Sequence, residues 1–414
     1  MNSVQPATGA RPAAAIFIIA TVFIDALAFA IIIPVLPELL MELSGEGVGG
    51  AAVWGGYATA VFALAQFFFS PVIGGLSDRF GRRPVLLLSL TALGIDFLLM
   101  GLAHALYVFF FARVLSGIFA ATHSTAAAYI TDVTPPDQRA ARFGWIGAAM
   151  GVGFVAGPVI GGLLGELSPR APFFVAAAFA CLNALYGFFV VPESLKPENR
   201  RAFSWVRANP FGTLARLFRL EGLGITIAVY FFINLAGMVY PAVWTYAAIA
   251  KFGWSEADIG YSLAYYGLLY AVSMAVLVPI VIKALGERRA IWTALAVQVV
   301  AMLGLAFAPT GFWVYFWITT ALFTTIVAPA LQKIMTERVS EDAQGELQGG
   351  LAALNGVSLI LSPLIYTQLF FIFDAGFMGI RFDGAPFIAA GGFYAIGLGL
   401  YLLRRPRNSI RLTD

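Results

Sequence analysis

Three charged side chains stand where charge is costly: Asp25, Asp96 and Arg113. Each lies within an apolar run long enough to cross a bilayer, which takes about 20 residues. Asp25 is about eleven residues into the first run, near its middle at a rise of roughly 1.5 Å per residue. An ionised carboxylate there costs roughly 2.5–3.5 kcal/mol on insertion scales. It must face a polar cavity, find a partner or carry a proton. A carboxyl opened in turn to each side of the membrane is a proton carrier. The competing reading is a permanently neutral acid that makes one helix–helix hydrogen bond. Asp96 and Arg113 lie at matching depths on consecutive runs, so the pair is expected to interact, either as a fixed ion pair or as a relay that exchanges partners.

Such residues need spanning helices to hold them. The chain of 414 residues is 60% hydrophobic and only 11% charged, far from the roughly 25% charged residues of soluble domains. A net charge of +3, with no basic stripe, gives nucleic acid nothing to bind. Twelve spans are read, at 14–40, 51–76, 84–103, 105–130, 143–165, 171–192, 222–249, 258–282, 290–308, 312–335, 347–372 and 384–403. The uncharged stretch 290–332 is divided at Pro309-Thr310-Gly311. Two histidines and one cysteine, Cys181, leave no metal-ligand spacing. No nucleophile–base constellation or nucleotide-type phosphate loop is present, so an enzyme is not expected and no cofactor is implied.

Lysine and arginine orient the spans. With the N-terminus inside, 21 of the 25 fall on one face, Arg11, Arg207, Arg404, Arg405, Arg407 and Arg411 among them; only Arg170, Lys251 and Arg381 fall on the other. Both termini are therefore expected in the cytoplasm. A weak repeat at an offset of 205 matches Gly81 with Gly286, Gly144 with Gly349 and Pro158 with Pro363. It divides the chain into a six-helix bundle at 1–192, a basic cytoplasmic linker at 193–220 and a second six-helix bundle at 221–414, a parallel repeat of the kind that builds carriers. The fold class is all-α membrane protein, two pseudo-symmetric bundles of six helices.

The block GGLSDRFGRRPV (74–85) is read as a short cytoplasmic turn between spans 2 and 3. It resembles the loop 2–3 signature of the major facilitator superfamily. GVGFVAGPVIGGLLG (151–165) is similar to the span-5 signature of its drug/proton antiporters, and RVLSGIFAA (from Arg113) to the span-4 signature. With DALAFAIIIPVLPELL, SPRAPFF and LGERRA the resemblance runs nearly end to end and points to the tetracycline exporters. It implies the superfamily fold and a proton-driven export of an amphipathic or aromatic small molecule, in a bacterial inner membrane and as a monomer. Proton symport, facilitated uptake and a non-transporting sensor are the alternatives. Counted from Gly286, the tetracycline exporters carry a histidine in span 8 and an aspartate in span 9. Tyr270 and Gln298 stand there instead, and speak against tetracycline itself.

The resemblance also implies a latch: Asp78, with Gly74, Arg79, Gly81, Arg82 and Arg83, meets the N-terminal end of a helix of the second half, span 11, and a nearby arginine. A charge at a helix end contributes about 0.3–1 kcal/mol when exposed. Gly153, Gly157, Gly161 and Gly165, four apart, give span 5 a smooth face for close helix packing, with Gly162 beside it and Pro158 adding a kink. The interiors of spans 7–12 carry no ionisable Asp, Glu, Lys, Arg or His, so proton chemistry is expected in the first half, at Asp25, Asp96 and Arg113. Gln66, Asn234, Tyr266, Tyr270, Gln298, Gln332 and Asn355 are the candidates to line a substrate cavity, as sparse polar groups among apolar walls do; helix–helix adhesion is the alternative for each. His123, near the inner end of span 4, is read as interfacial; His104 lies near the outer end of span 3 and gives no reading.

Overall fold

The computed structural model describes residues 12–403, apart from 206–207, 221, 341–342 and 377–378. Arg11, Arg207, Arg404, Arg405, Arg407 and Arg411, counted above toward the basic face, lie outside the described residues. In chain order the helices are α1 (Pro12–Ile31), α2 (Leu36–Ser44), α3 (Val48–Phe80), α4 (Arg82–Gly101), α5 (Leu106–Phe119), α6 (Thr122–Val133), α7 (Pro136–Gly165) and α8 (Ala171–Val190). There follow α9 (Pro210–Arg219), α10 (Gly224–Gly237), α11 (Val239–Phe252), α12 (Glu256–Val272), α13 (Val278–Ala306), α14 (Gly311–Ala321), α15 (Val327–Thr336), α16 (Gln344–Asp374) and α17 (Ala385–Leu403).

Several spans are broken, and the breaks have local causes. α1 and α2 bend by 49° across a segment holding Pro34, with Pro37 in the first turn of α2; proline cannot donate to a continuing helix. α5 and α6 together make one span, as do α10 with α11, and α14 with α15. The apolar stretch Glu256–Ala306 has 51 residues and would be about 75 Å long as one straight helix, against a hydrocarbon core of about 30 Å. It is two crossings, divided at Gly286, whose φ of 73° and ψ of 157° are not helical. Among the described residues, ten apolar stretches, the bent α1–α2 pair and this division are consistent with the twelve spans expected. The division of 290–332 also falls where expected, since α13 ends at Ala306 and α14 starts at Gly311.

The block 74–85 differs from its expected form. It is not a loop: α3 runs through Asp78 and Arg79 to Phe80, and α4 begins at Arg82. Gly81 alone separates them, at φ 114° and ψ 159°, a conformation open to glycine and costly for other residues. One residue therefore reverses the chain between two spans.

The chain forms two compact units that do not follow chain order. The first comprises Met1–Gly212, Pro241–Leu268 and Leu359–Asp383, the second Thr213–Tyr240, Leu269–Ser358 and Gly384–Asp414. In the first, α1 lies along α7, α4 along α8 and α3 along α5; in the second, α13 and α10 lie along α17. Within the first unit, spans of the two sequence halves meet at their arginine-poor ends, and glycine makes the contacts. The row Gly153, Gly157 and Gly161 faces α1: a Cβ at Gly157 would sit 2.6 Å from the Ala30 Cβ, and one at Gly161 would enter the Ile31 backbone. Gly162 faces the backbone of Glu256 in α12, and Gly260 of α12 faces the Pro158 carbonyl. A second glycine set, on α3, does the same work. Gly55 faces Tyr246 of α11, and Gly56 faces Thr367 and the Pro363 carbonyl of α16. Gln368 Nε2 donates to Tyr57 Oη at 3.0 Å beside them.

Leucine in place of Gly157 cannot fit against Ala30. Gly157→Leu is expected to insert into membranes but to lose transport, with stability reduced by about 1–3 kcal/mol. Thermal unfolding in detergent together with an export assay checks this; unchanged Tm and rate would show that the contact tolerates bulk.

Candidate functional site

The α7 glycine row positions Asp25. Gly153 lies against the α1 turn that carries it, where an added Cβ would come within 2.9 Å of the Phe23 carbonyl oxygen, the Ala26 Cβ and the Leu27 nitrogen. One turn earlier, Thr21 Oγ1 donates to Asn183 Oδ1 of α8 at 3.2 Å, and Asn183 Nδ2 donates back to the Thr21 carbonyl at 3.3 Å. α1 is thus held on two sides, and Asp25 is left half-buried on it. Among the described residues, no hydrogen bond or ion pair engages its carboxylate. A group so held can exchange a proton without first breaking a bond.

Asp96 and Arg113 are brought together. Asp96 on α4 is fully buried and Arg113 on α5 is 9% exposed. Arg113 Nη2 donates to Asp96 Oδ2 at 2.5 Å. The guanidinium also lies over the rings of Phe62, 5.7 Å from the centroid, and Phe109, at 6.0 Å, as weakly hydrated arginine does. Among the described residues, Asp96 Oδ1 and Arg113 Nε are without a hydrogen-bond partner of full geometry, and the Ser116 hydroxyl is the polar side chain that approaches the Asp96 carboxylate beside Arg113.

At the arginine-rich end of the first unit, block 74–85 forms a network around Arg82. Its Nη1 donates to Asp78 Oδ1 at 2.5 Å and to Ser77 Oγ at 3.2 Å, and its Nε to Asp132 Oδ2 of α6 at 3.2 Å. The arginine beside Asp78 is therefore the one across the Gly81 hinge. The Glu193 carboxylate accepts the Arg82 and Arg83 backbone N–H groups at 2.8 and 3.2 Å, capping the exposed donors that open α4. A Cβ on Gly81 would collide with that carboxylate. Arg83 Nη2 donates to the Phe188 carbonyl at 2.6 Å. Arg79 is exposed over the Phe80 ring, and Gly74 has open space before it. Sequence reasoning missed Asp132, Glu193 and Asn183. The first two had a usable signal, acidic residues at the basic ends of spans 4 and 6; a polar residue in mid-span was the only sign of the third.

The polar candidates for a substrate cavity divide. In the second unit Asn234 Nδ2 donates to the Tyr230 carbonyl at 2.7 Å and Gln332 Nε2 to Tyr230 Oη at 3.4 Å, so α10 and α15 share one polar cluster. Gln298 is 1% exposed, its Oε1 without a hydrogen-bond partner among the described residues. Tyr270 is 41% exposed, just before a π-helical turn, Ser273–Leu277. Ser273 and Thr325 join that turn to the 3₁₀ segment Leu322–Ile326, their hydroxyls 2.6 Å apart; single π turns inside helices favour functional sites. Asn355 is exposed. In the first unit Tyr266 is half-buried, and Gln66 donates to the Ala120 carbonyl at 3.4 Å, where α5 gives way to α6.

Broken spans, a charge pair sealed between helices and an unengaged mid-span carboxyl define a polytopic carrier of the membrane. The sequence profile described as Major Facilitator Superfamily matches residues 18–246 and 223–413. The chain belongs to that superfamily. It is 38% identical over 398 residues to the tetracycline resistance protein, class C, of Escherichia coli, covering 95% of this chain and 96% of that one. It is 30% identical over 405 residues to multidrug resistance protein 2 of Bacillus subtilis strain 168, covering 95% and 96%. The fold is shared with a bacterial homolog of the human lysosomal transporter Spinster in an inward-facing, unoccupied conformation, at TM-score 0.77, 17% identity, and 96% and 98% coverage. It is shared too with the human organic anion transporter MFSD10, at TM-score 0.69, 22% identity, and 96% and 100% coverage.

Two outcomes follow from this geometry. Asp96→Asn leaves a buried arginine without its counter-charge and is expected to cost about 3–5 kcal/mol, while Asp96→Asn with Arg113→Gln costs less; thermal unfolding of the three variants in one detergent measures the difference. Gly81→Ala meets both the backbone conformation and Glu193, and is expected to lose about 1–3 kcal/mol, read as a lower Tm. A Tm equal to the parent's would remove the hinge from the account.

Proposed function

We propose that the chain is a secondary exporter of amphipathic or aromatic small molecules, driven by protons and working by alternating access. The observation that carries this reading is identity over nearly the whole chain to proteins of two names, tetracycline resistance and multidrug resistance, in a chain whose first span holds an unengaged carboxyl. The proton gradient replaces any cofactor, and the protein acts as a carrier rather than an enzyme. Asp25 takes the proton, and Asp96 and Arg113 take part in the coupling as a relay in which Arg113 bonds Asp96 in one state and releases it in another. The Tyr230–Asn234–Gln332 cluster, with Tyr266, Tyr270, Gln298 and Asn355 and with Gln66 from the first half, supplies the polar contacts for the ligand. The six-span halves, 1–192 and 221–414, joined by the linker 193–220, rock about that site in a monomer. The arginine-rich ends face the cytoplasm of a bacterial inner membrane, both termini included, and the block 74–85 fastens that side when the carrier opens outward.

Tyr270 and Gln298, uncharged where tetracycline exporters carry His and Asp, favour a substrate other than tetracycline. The competing reading is uptake by symport. Purified protein in vesicles with an imposed pH gradient separates them, since export demands substrate movement opposite to protons. Asp25→Asn is expected to abolish uphill movement by at least tenfold while leaving substrate exchange across the membrane intact. Uphill export with an unaltered pH dependence in that variant would remove Asp25 from proton coupling.

A further inference from the structure

Tyr246 on α11 stands out among the buried polar groups of the first unit. It is 3% exposed, and among the described residues its hydroxyl has no hydrogen-bond partner. It lies against α3 at Gly55: an added Cβ there would run into Tyr246 Oη and come within 3.0 Å of its Cζ and 3.3 Å of Leu40 of α2. The ring fills a notch that exists because residue 55 has no side chain. Below it Gly56 takes Thr367 of α16, itself fully buried, and Tyr57 pairs with Gln368. Spans 2, 7 and 11 are therefore closed on one another at their arginine-poor ends. The packing is tight, but one group in it is poorly placed. A phenol O–H is a strong donor, and burial without a partner is costly. Phenylalanine would fill the same notch without that cost.

We propose that Tyr246 is the plug of the gate at the arginine-poor face, seated in the Gly55 notch, and that its hydroxyl weakens the closed state. The hydroxyl regains hydrogen bonds when the gate opens and the ring leaves the notch for water. The closed gate is thus held by shape and loosened by one polar atom, which keeps it from becoming a trap. This rests on the alternating-access reading above; which way the gate faces does not enter the test.

The test uses a reporter cysteine, Thr367→Cys, in full-length protein carrying Cys181→Ser. Its reaction with a maleimide in detergent micelles reads gate opening without reference to substrate, protons or orientation. Tyr246→Phe is expected to slow labelling on the order of fivefold. Gly55→Ala is expected to speed it, because the new methyl strikes the hydroxyl. Combining Gly55→Ala with Tyr246→Phe removes the atom struck hardest, leaving the ring carbon at 3.0 Å, and is expected to bring labelling back from the Gly55→Ala rate toward the parent's, which also shows that the alanine variant folds. Labelling of Tyr246→Phe at or above the parent rate, or no rescue in the double variant, would overturn the proposal. Vesicle transport is scored separately: a labelling pattern as expected, in a protein that exports nothing against a pH gradient, would overturn the export reading and leave the plug standing.

Discussion

The fold depends on backbones approaching without side chains between them. Lipid is as apolar as leucine, so no hydrophobic force presses one spanning helix on another; close packing and interhelical hydrogen bonds must do it. In this chain glycine supplies the closeness at the places where function is argued. Gly153, Gly157 and Gly161 admit α1 to α7, and so fix the turn that carries Asp25. Gly162 and Gly260 admit α12, and Gly55 and Gly56 admit α11 and α16. One device thus serves two ends, rigid contact within a bundle and contact between spans of different halves. The second kind has to be reversible. Contacts made by shape, with few hydrogen bonds to break, suit it.

Charge is treated differently at three depths. In mid-span Asp25 is left unengaged on a helix clamped from both sides. Deeper in the helix packing, Asp96 and Arg113 neutralise each other, with aromatic faces around the guanidinium. At the basic end, Arg82, Asp78, Asp132 and Glu193 make a network in which each acid is bonded. In the loop after α16, burial and the nearby Asp374 hold the Asp383 carboxyl above the usual carboxylate range, against the pull of Lys251 and Arg381. The contrast is one of partners: Asp96, Arg113 and the acids around Arg82 are paired, and Asp25 is not engaged by any described residue.

The α13 run shows how a local irregularity becomes architecture. Gly286, beside Glu287, Arg288 and Arg289, breaks an apolar stretch too long for one crossing. Gly81 does the same between α3 and α4, where Arg82 and Arg83 follow it. The repeat at an offset of 205 pairs these two glycines, so the hinge is built twice in one sequence. In the first copy Glu193 seals it; in the second Glu287 instead pairs with Lys333 of α15.

Much was legible in the amino acids because membranes ask simple questions of a sequence. Twelve apolar runs, the arginine bias and the matched depths of Asp96 and Arg113 all follow from the cost of polar groups in hydrocarbon, which acts residue by residue. The signatures at 74–85 and 151–165 carried the family for the same reason, being short and local. Tertiary structure decided the rest. It made the block 74–85 a one-residue hinge, turned Gly162 to α12 while its neighbours face α1, and grouped parts of spans 7, 8 and 11 with the first half. It also chose Asn183, Asp132 and Glu193 as partners, and buried Tyr246 against Gly55. Those outcomes depend on which helices lie side by side at which depth, a relation between residues up to 311 positions apart, and no local pattern of hydropathy or charge encodes it.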